Sequence, residues 1–190
     1  MLKLETARLS LLPFTSADLD FLHALWIDPQ VRRYLWDDQI ISPEQAHEVI
    51  ETSLASFATA GYGFWLVRMK ENDSPVGFCG LRQFSNAEIV EAQVEILYGI
   101  SPEHWCNGLA VEASSAVLRF GFERLQLERI YAGADLPNVA SLRVMEKLGM
   151  QFDHQAQLHG LETSYYVITR ESFNSIAHEL EHAHVPLILE

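Results

Sequence analysis

Trp105-Cys106-Asn107-Gly108-Leu109-Ala110-Val111-Glu112-Ala113 reads as a glycine-containing turn that opens a helix. The unpaired N–H groups of a helix's first turn, together with the positive end of its dipole, make such a place receptive to an anion such as a pyrophosphate. Upstream, Gln93 to Ile100 alternates as a strand does, with Glu95, Leu97 and Gly99 on one face and Val94, Ile96, Tyr98 and Ile100 on the other. Downstream the spacing becomes helical, and Val111, Ser115, Leu118 and Phe122 form one stripe that ends near Leu125. Arg129 to Ala134 then reads as a strand, Pro137-Asn138 opens a second helix, and Gly149 is placed to end it in a left-handed turn.

The remaining segments alternate in the same way. Leu9 to Leu12 is strand-like, and Thr15 or Ser16 can cap a helix carrying Leu19, Leu22, Leu25 and Trp26. Ser42-Pro43-Glu44-Gln45 supplies a cap, a first-turn proline and a capping-box glutamine for a helix running towards Phe57, which Gly61 and Gly63 stop. Phe64 to Met69 and Val76 to Phe84, joined by a polar turn cluster, make an antiparallel hairpin. Gln151 to Leu158 and Ser164 to Thr169 make a closing one, and a polar helix follows Ser172. The expectation is α+β: a mixed, mostly antiparallel seven-stranded sheet with helices on both faces, in three α/β/α layers. No repeat or composition break marks a second domain, so residues 1–173 read as one domain and 174–190 as a helical tail belonging to it or to an interface.

At 190 residues the chain is long enough to bury roughly 70% of its extended surface without a disulfide or metal staple. Its two cysteines, Cys79 and Cys106, are too few for a disulfide framework, and Lys3, Glu5 and Arg8 interrupt any leader-like apolar run. No apolar stretch reaches the roughly 18 residues of a membrane span. These features favour the cytoplasm and no membrane partner. A formal charge of −13 repels phosphate backbones, which argues against direct nucleic-acid binding and leaves an amine or basic peptide electrostatically welcome.

Several motifs in one order resemble the GNAT N-acetyltransferase superfamily, and within it the RimJ/RimL-like branch that acetylates protein N-termini and assorted small amines. The residues that carry the resemblance are Glu95-Ile96-Leu97-Tyr98, Ser101-Pro102-Glu103-His104-Trp105, Cys106-Asn107-Gly108, Ala110-Val111-Glu112-Ala113, Asn138-Val139-Ala140-Ser141 and Lys147-Leu148-Gly149-Met150. Leu4-Glu5-Thr6-Ala7-Arg8-Leu9 and Asp28-Pro29-Gln30-Val31-Arg32-Arg33-Tyr34-Leu35 are similar to that branch's usual opening. The resemblance implies a GNAT-like acyl-CoA N-acyltransferase fold with acetyl-CoA as acyl donor and no required metal. It places the cofactor on Leu97, Tyr98, Gly99 and Ile100 of the strand, on Trp105, Cys106, Asn107, Gly108, Leu109 and Ala110 of the turn, and on Asn138, Ser141 and Lys147 beyond. The amides from Cys106 to Ala110 would wrap the pyrophosphate, and Asn138 would hydrogen-bond the pantetheine arm. The strand from Leu97 to Ile100 would splay from its neighbour near Arg129 to Ala134 to admit that arm as an added strand. Cys106 and Leu97 stand where glycines are common. A non-glycine in the turn is tolerated if its φ is negative and otherwise costs on the order of 1 kcal/mol.

Amide formation from a thioester needs a neutral amine, stabilisation of developing oxyanion charge and a thiolate that leaves. An α-amine of pKa near 8 is roughly a tenth neutral at pH 7, whereas a lysine amine is below about 0.1% neutral, so an α-amine is the easier acceptor. Glu95 is the expected general base, acting through a water, and the N–H groups near Tyr98 and Gly99 are expected to hold the thioester oxygen. Many GNAT enzymes carry a tyrosine at the position matching Met145, which cannot donate a proton. Ser141, on the same helix face as Asn138, is the remaining polar group for the thiolate, or else it bonds the preceding turn of its own helix.

Two rivals stand beside this reading. An acyl-CoA-binding module that has lost turnover would explain Cys106, Leu97 and Met145. A zinc-dependent hydrolase would use His178-Glu179-Leu180-Glu181-His182, although few downstream residues are available as a third ligand. Cys106 beside His104 suggests a thiol acyltransferase, but no third orienting residue is identifiable. Trp26, Tyr34, Trp36, Phe64 and Trp65 read as core and acceptor-cleft walls. The acceptor, a small molecule or a peptide N-terminus, carries no diagnostic pattern, and a homodimer is left open.

Overall fold

The computed structural model describes residues 2–84, 93–158, 160–182 and 188–189. Seven substantial strands are β2 (Leu9–Pro13), β3 (Phe64–Met69), β4 (Pro75–Phe84), β5 (Gln93–Ile100), β6 (Arg129–Asp135), β7 (Gln151–Leu158) and β8 (Leu161–Thr169). Two-residue strands β1 (Leu4–Glu5) and β9 (Ile188–Leu189) extend the sheet to nine, in the order β7-β8-β6-β5-β4-β3-β2-β1-β9. The seven expected strands are therefore present, and the two additions are too short for any alternation to reveal. Every pairing is antiparallel except that of β5 with β6.

The helices are α1 (Leu19–Ile27), α2 (Pro29–Leu35), α3 (Pro43–Ala60), α4 (Leu109–Glu123), α5 (Val139–Lys147) and α6 (Arg170–His182). Ser42 accepts from the Gln45 N–H while Gln45 reaches back to the Ser42 N–H, the reciprocal cap expected at the start of α3. Gly149 has φ +74° just past α5, with its N–H on the Glu146 carbonyl and the Met150 N–H on that of Met145. That double bond pattern satisfies orphan carbonyls as a left-handed helix end should. Helix α2 is absent from the sequence reading although its signal was there: Asp28 accepts from the N–H groups of Gln30 and Val31, and Pro29 occupies the first turn. The expected tail boundary at 173/174 falls inside the single helix α6, whose Phe173 is buried against Phe122 with ring centroids 5.1 Å apart.

Strand alternation divides the core in two. One cluster joins Leu9, Leu11, Trp65, Val67, Cys79, Leu81, Ile96 and Ile100 to Leu109, Ala113, Val117 and Phe120 of α4 and Met145 and Leu148 of α5. The other joins Phe14, Leu66 and Phe78 to Leu22, Leu25 and Trp26 of α1 and Ala46 and Ile50 of α3. Val94 and Tyr98 pack on the first cluster and Leu97 on the second, so the two faces read from β5 are the two faces of the sheet. Helix α4 is buried far beyond the expected stripe, without a break from Glu112 to Leu118, because it lies against the sheet while α5 packs beside it. No helix among the described residues is long and apolar enough to cross a membrane.

Candidate active site

The site begins where the one parallel pairing fails. Strand β5 is registered to β4 along its whole length, from Gly77↔Ile100 to Phe84↔Gln93, and β6 is registered to β8 from Arg129↔Thr169 to Asp135↔Thr163. Between β5 and β6 the register holds at a single pair, Glu95↔Tyr131. Past it the two strands are not registered, and among the described residues the edge of Ile96–Ile100 facing β6 has no paired strand. Unpaired main-chain groups at such an edge take a ligand's amides as an added strand's.

Glu95 sits at the fork and is only 5% exposed. Arg82 lies directly opposite on β4 and its Nε donates to the Glu95 carboxylate, while its guanidinium covers the Phe84 ring at 5.7 Å and remains 48% exposed. Burial raises the Glu95 pKa, and the Arg82 charge and hydrogen bond pull it back down, with burial the larger influence. Arg82 escaped the sequence reading because its partner is fixed only by the register of β4 on β5. Leu97 and Gly99 point to the same face as Glu95, and Gly99 lies under Phe78, whose ring a Cβ there would meet at 2.5 Å.

At the open end of β5 the chain turns into α4. The Trp105 indole N–H donates to the Ile100 carbonyl at 2.6 Å, and Asn107 Nδ2 donates to the carbonyls of His104 and Trp105 at 3.2 Å each. Trp105 and Asn107 thus spend these polar atoms on shaping the turn. Cys106 has φ +62° and Gly108 φ +77°, with Asn107 negative between them. Such alternation of hand turns successive N–H groups into one concavity, an anion-binding nest. No side chain caps α4, so the N–H groups of its first turn stay available. The Cys106 conformation is the costly one for a non-glycine. Cys106→Gly is expected to raise the thermal midpoint by roughly 1–3 °C, the relief of left-handed strain net of glycine's extra unfolded-state entropy, without weakening coenzyme A binding. Differential scanning calorimetry with and without coenzyme A checks both.

Asn138 is the N-cap of α5. Its Oδ1 accepts from the Ser141 N–H at 3.2 Å, leaving Nδ2 without a hydrogen-bond partner among the described residues. The Ser141 hydroxyl makes no hydrogen bond among them either, whereas its carbonyl accepts from the Tyr98 hydroxyl at 3.2 Å. Tyr98 thereby ties β5 to the first turn of α5, and burial holds its phenol well above the usual range. Met145 is fully buried in the core. Lys147 is exposed in the last turn of α5, six residues or about 9 Å along the axis from Ser141, so the helix does not bring these two together. On the opposite face Tyr34 of α2 donates to the Pro137 carbonyl at 3.2 Å, docking α2 beside the loop that presents Asn138. Trp26 and Trp65 are core, and Trp36 meets Trp26 edge-on with centroids 6.1 Å apart.

The single parallel strand pair leads into the turn that opens α4, a place that suits an extended ligand with an anionic end. The chain belongs to the acetyltransferase (GNAT) domain family, whose model it matches over residues 8–151. The uncharacterized N-acetyltransferase YoaA of Bacillus subtilis is 34% identical over 148 residues, 78% of this chain and 82% of that protein. Among solved structures, the ribosomal-protein α-N-acetyltransferase RimL in complex with coenzyme A superposes with a TM-score of 0.71 at 15% identity, covering 86% of this chain and 95% of that one. The spermidine N-acetyltransferase of Vibrio cholerae, in complex with CoA and spermine, gives 0.72 at 18%, covering 87% and 98%. At such identities the likeness carries the fold. The protein is an acetyl-CoA-dependent N-acetyltransferase.

The side chains of 178–182 lie outside the described residues, and with them the zinc reading; among the described residues no group of three or more His, Cys, Asp or Glu is placed to hold a metal.

Proposed function

We propose that this protein is a RimJ/RimL-like enzyme that moves an acetyl group from acetyl-CoA directly to a primary amine, a protein N-terminal α-amine or a small amine, within a ternary complex. The fork at Glu95 carries the reading, because it puts one buried carboxylate at the point where an unpaired strand edge begins. The residues fit the coenzyme: the nest from Cys106 to Ala110 for the diphosphate, the free Nδ2 of Asn138 and the edge of Leu97–Ile100 for the pantetheine amides. When bound, acetyl-CoA supplies the activated acetyl thioester. Glu95 takes the amine's proton through a water, and the Tyr98 N–H, on the edge of β5 turned away from β4, polarises the acyl oxygen, whereas the Gly99 N–H is spent on the β4 ladder. Ser141, with its hydroxyl uncommitted, donates a hydrogen bond to the departing sulfur. Phe78, 2% exposed, covers Gly99 on the apolar side of the fork.

A thiol-release assay with acetyl-CoA against N-terminal peptides, polyamines and free amino acids tests this. Release with at least one primary amine, reduced about tenfold in Ser141→Ala and unaffected by chelators, is the expected result. Coenzyme A binding without release on any acceptor sinks it in favour of a binding module, the outcome that buried Met145 and strained Cys106 favour. Activity abolished by a chelator sinks it in favour of the metal.

A further inference from the structure

The N-terminal segment meets α4 at its first turn. Glu112, 4% exposed there, accepts from the Thr6 hydroxyl at 2.5 Å, from the Arg8 main-chain N–H at 2.9 Å and from Arg8 Nε at 2.7 Å, with Arg8 Nη2 at 2.6 Å. A carboxylate this close to a helix N-terminus repels an incoming anion unless it is neutralised. Arg8 does that, and it does so with one edge of the guanidinium only. Nη1 and the outer hydrogen of Nη2 remain, and the side chain is 41% exposed. The guanidinium reaches the turn: Nη2 lies 3.7 Å from where a Cβ on Gly108 would sit.

We propose that Arg8 is a further coenzyme-binding residue, its free guanidinium edge closing the open side of the Cys106–Gly108 nest and pairing with the coenzyme's diphosphate. The proposal rests on the coenzyme site assigned above. Three observations carry it. The chain has a net charge of −13, so a polyanion approaching it needs a local cation. Two other cations are spent or distant: Lys70 is held by Glu5 and the Thr6 carbonyl, and Lys147 lies at the far end of α5. Glu112 anchors the guanidinium on a rigid turn, so little side-chain entropy is lost when an anion arrives. The reading of the sequence could not reach this, since Arg8 and Glu112 are 104 positions apart.

The test is calorimetric titration of coenzyme A and of dephospho-coenzyme A, which keeps the diphosphate, into wild type, Arg8→Gln and Arg8→Lys. Arg8→Gln is expected to weaken both ligands about tenfold, Arg8→Lys about threefold, and the loss is expected to shrink between ~0.05 M and ~0.5 M salt as the charge is screened. Unchanged affinity overturns the proposal. So does a loss for coenzyme A alone, which moves Arg8 to the 3′-phosphate, or a loss equal at both salt concentrations, which makes Arg8 a prop for Glu112. Should Arg8→Gln fail to fold, Arg8→Lys decides by the same criteria. If wild type binds neither ligand, it is the coenzyme site that fails.

Discussion

Glu95→Gln is expected to lower kcat about a hundredfold while leaving the KM for acetyl-CoA within about twofold of wild type, the signature of a lost general base. The carboxamide keeps the shape of the side chain and can still accept from Arg82, so the fork is preserved. Arg82 loses its counter-ion but is half in water and rehydrates. The residual rate is expected to climb about tenfold per pH unit below the acceptor's pKa, because only the pre-existing neutral amine then reacts. Wild type tells the same story from the other side. Burial raises Glu95 above the ordinary carboxylate value of 4.5, so the acid limb of the pH profile lies above that value. Arg82→Gln removes the influence that lowers it, and the limb moves to higher pH with the high-pH plateau retained. A wild-type kcat in Glu95→Gln, or an unshifted limb in Arg82→Gln, removes Glu95 from proton transfer.

The legible and illegible parts of this molecule differ in how far apart their causes lie. The caps at Ser42 and Asn138, the left-handed end at Gly149 and the two-faced β5 are set by residues within a few positions of one another, and each appears where the spacing placed it. The divergence of β5 from β6 came from the family resemblance, and the single Glu95↔Tyr131 pair gives it a starting point that no local pattern held. Partnerships across the sheet were hidden. Arg82 reaches Glu95 through a register that depends on the whole β4–β5 ladder, and Arg8 reaches Glu112 through the packing of the chain's opening on its middle. Helix α4 misled in another way. Its periodic stripe marked one buried face, but contact with the sheet and α5 together buries small residues such as Ala113, Ser114 and Ala116 that no apolar periodicity singles out.

Trp65→Ala is expected to cost about 3–5 kcal/mol, a fall of roughly 10 °C in thermal midpoint for a domain of this size, with coenzyme A affinity of the folded variant unchanged. Trp65 is fully buried on the α4 side of β3, at the meeting of α3 and α4. Its ring stands edge-on to Phe57 with centroids 4.8 Å apart and to Phe120 at 5.3 Å, and its indole N–H donates to the Leu2 carbonyl at 3.2 Å. Alanine leaves a cavity between β3 of the sheet, Phe120 of α4 and the Phe57 ring, and the paired strand on its floor cannot move in without breaking its ladder, so the loss falls at the upper end for its type. Trp65→Phe keeps most of the contact area and forfeits the hydrogen bond, which sets its cost near 1–2 kcal/mol. The separation from function follows from helix geometry. Phe120 lies 12 residues, about 18 Å, along α4 from Gly108, and the nest is held by Trp105, Asn107 and the Arg8–Glu112 contact. A midpoint shift under about 3 °C, or weakened coenzyme A binding in protein that is still folded, contradicts a core that is mechanically independent of the turn.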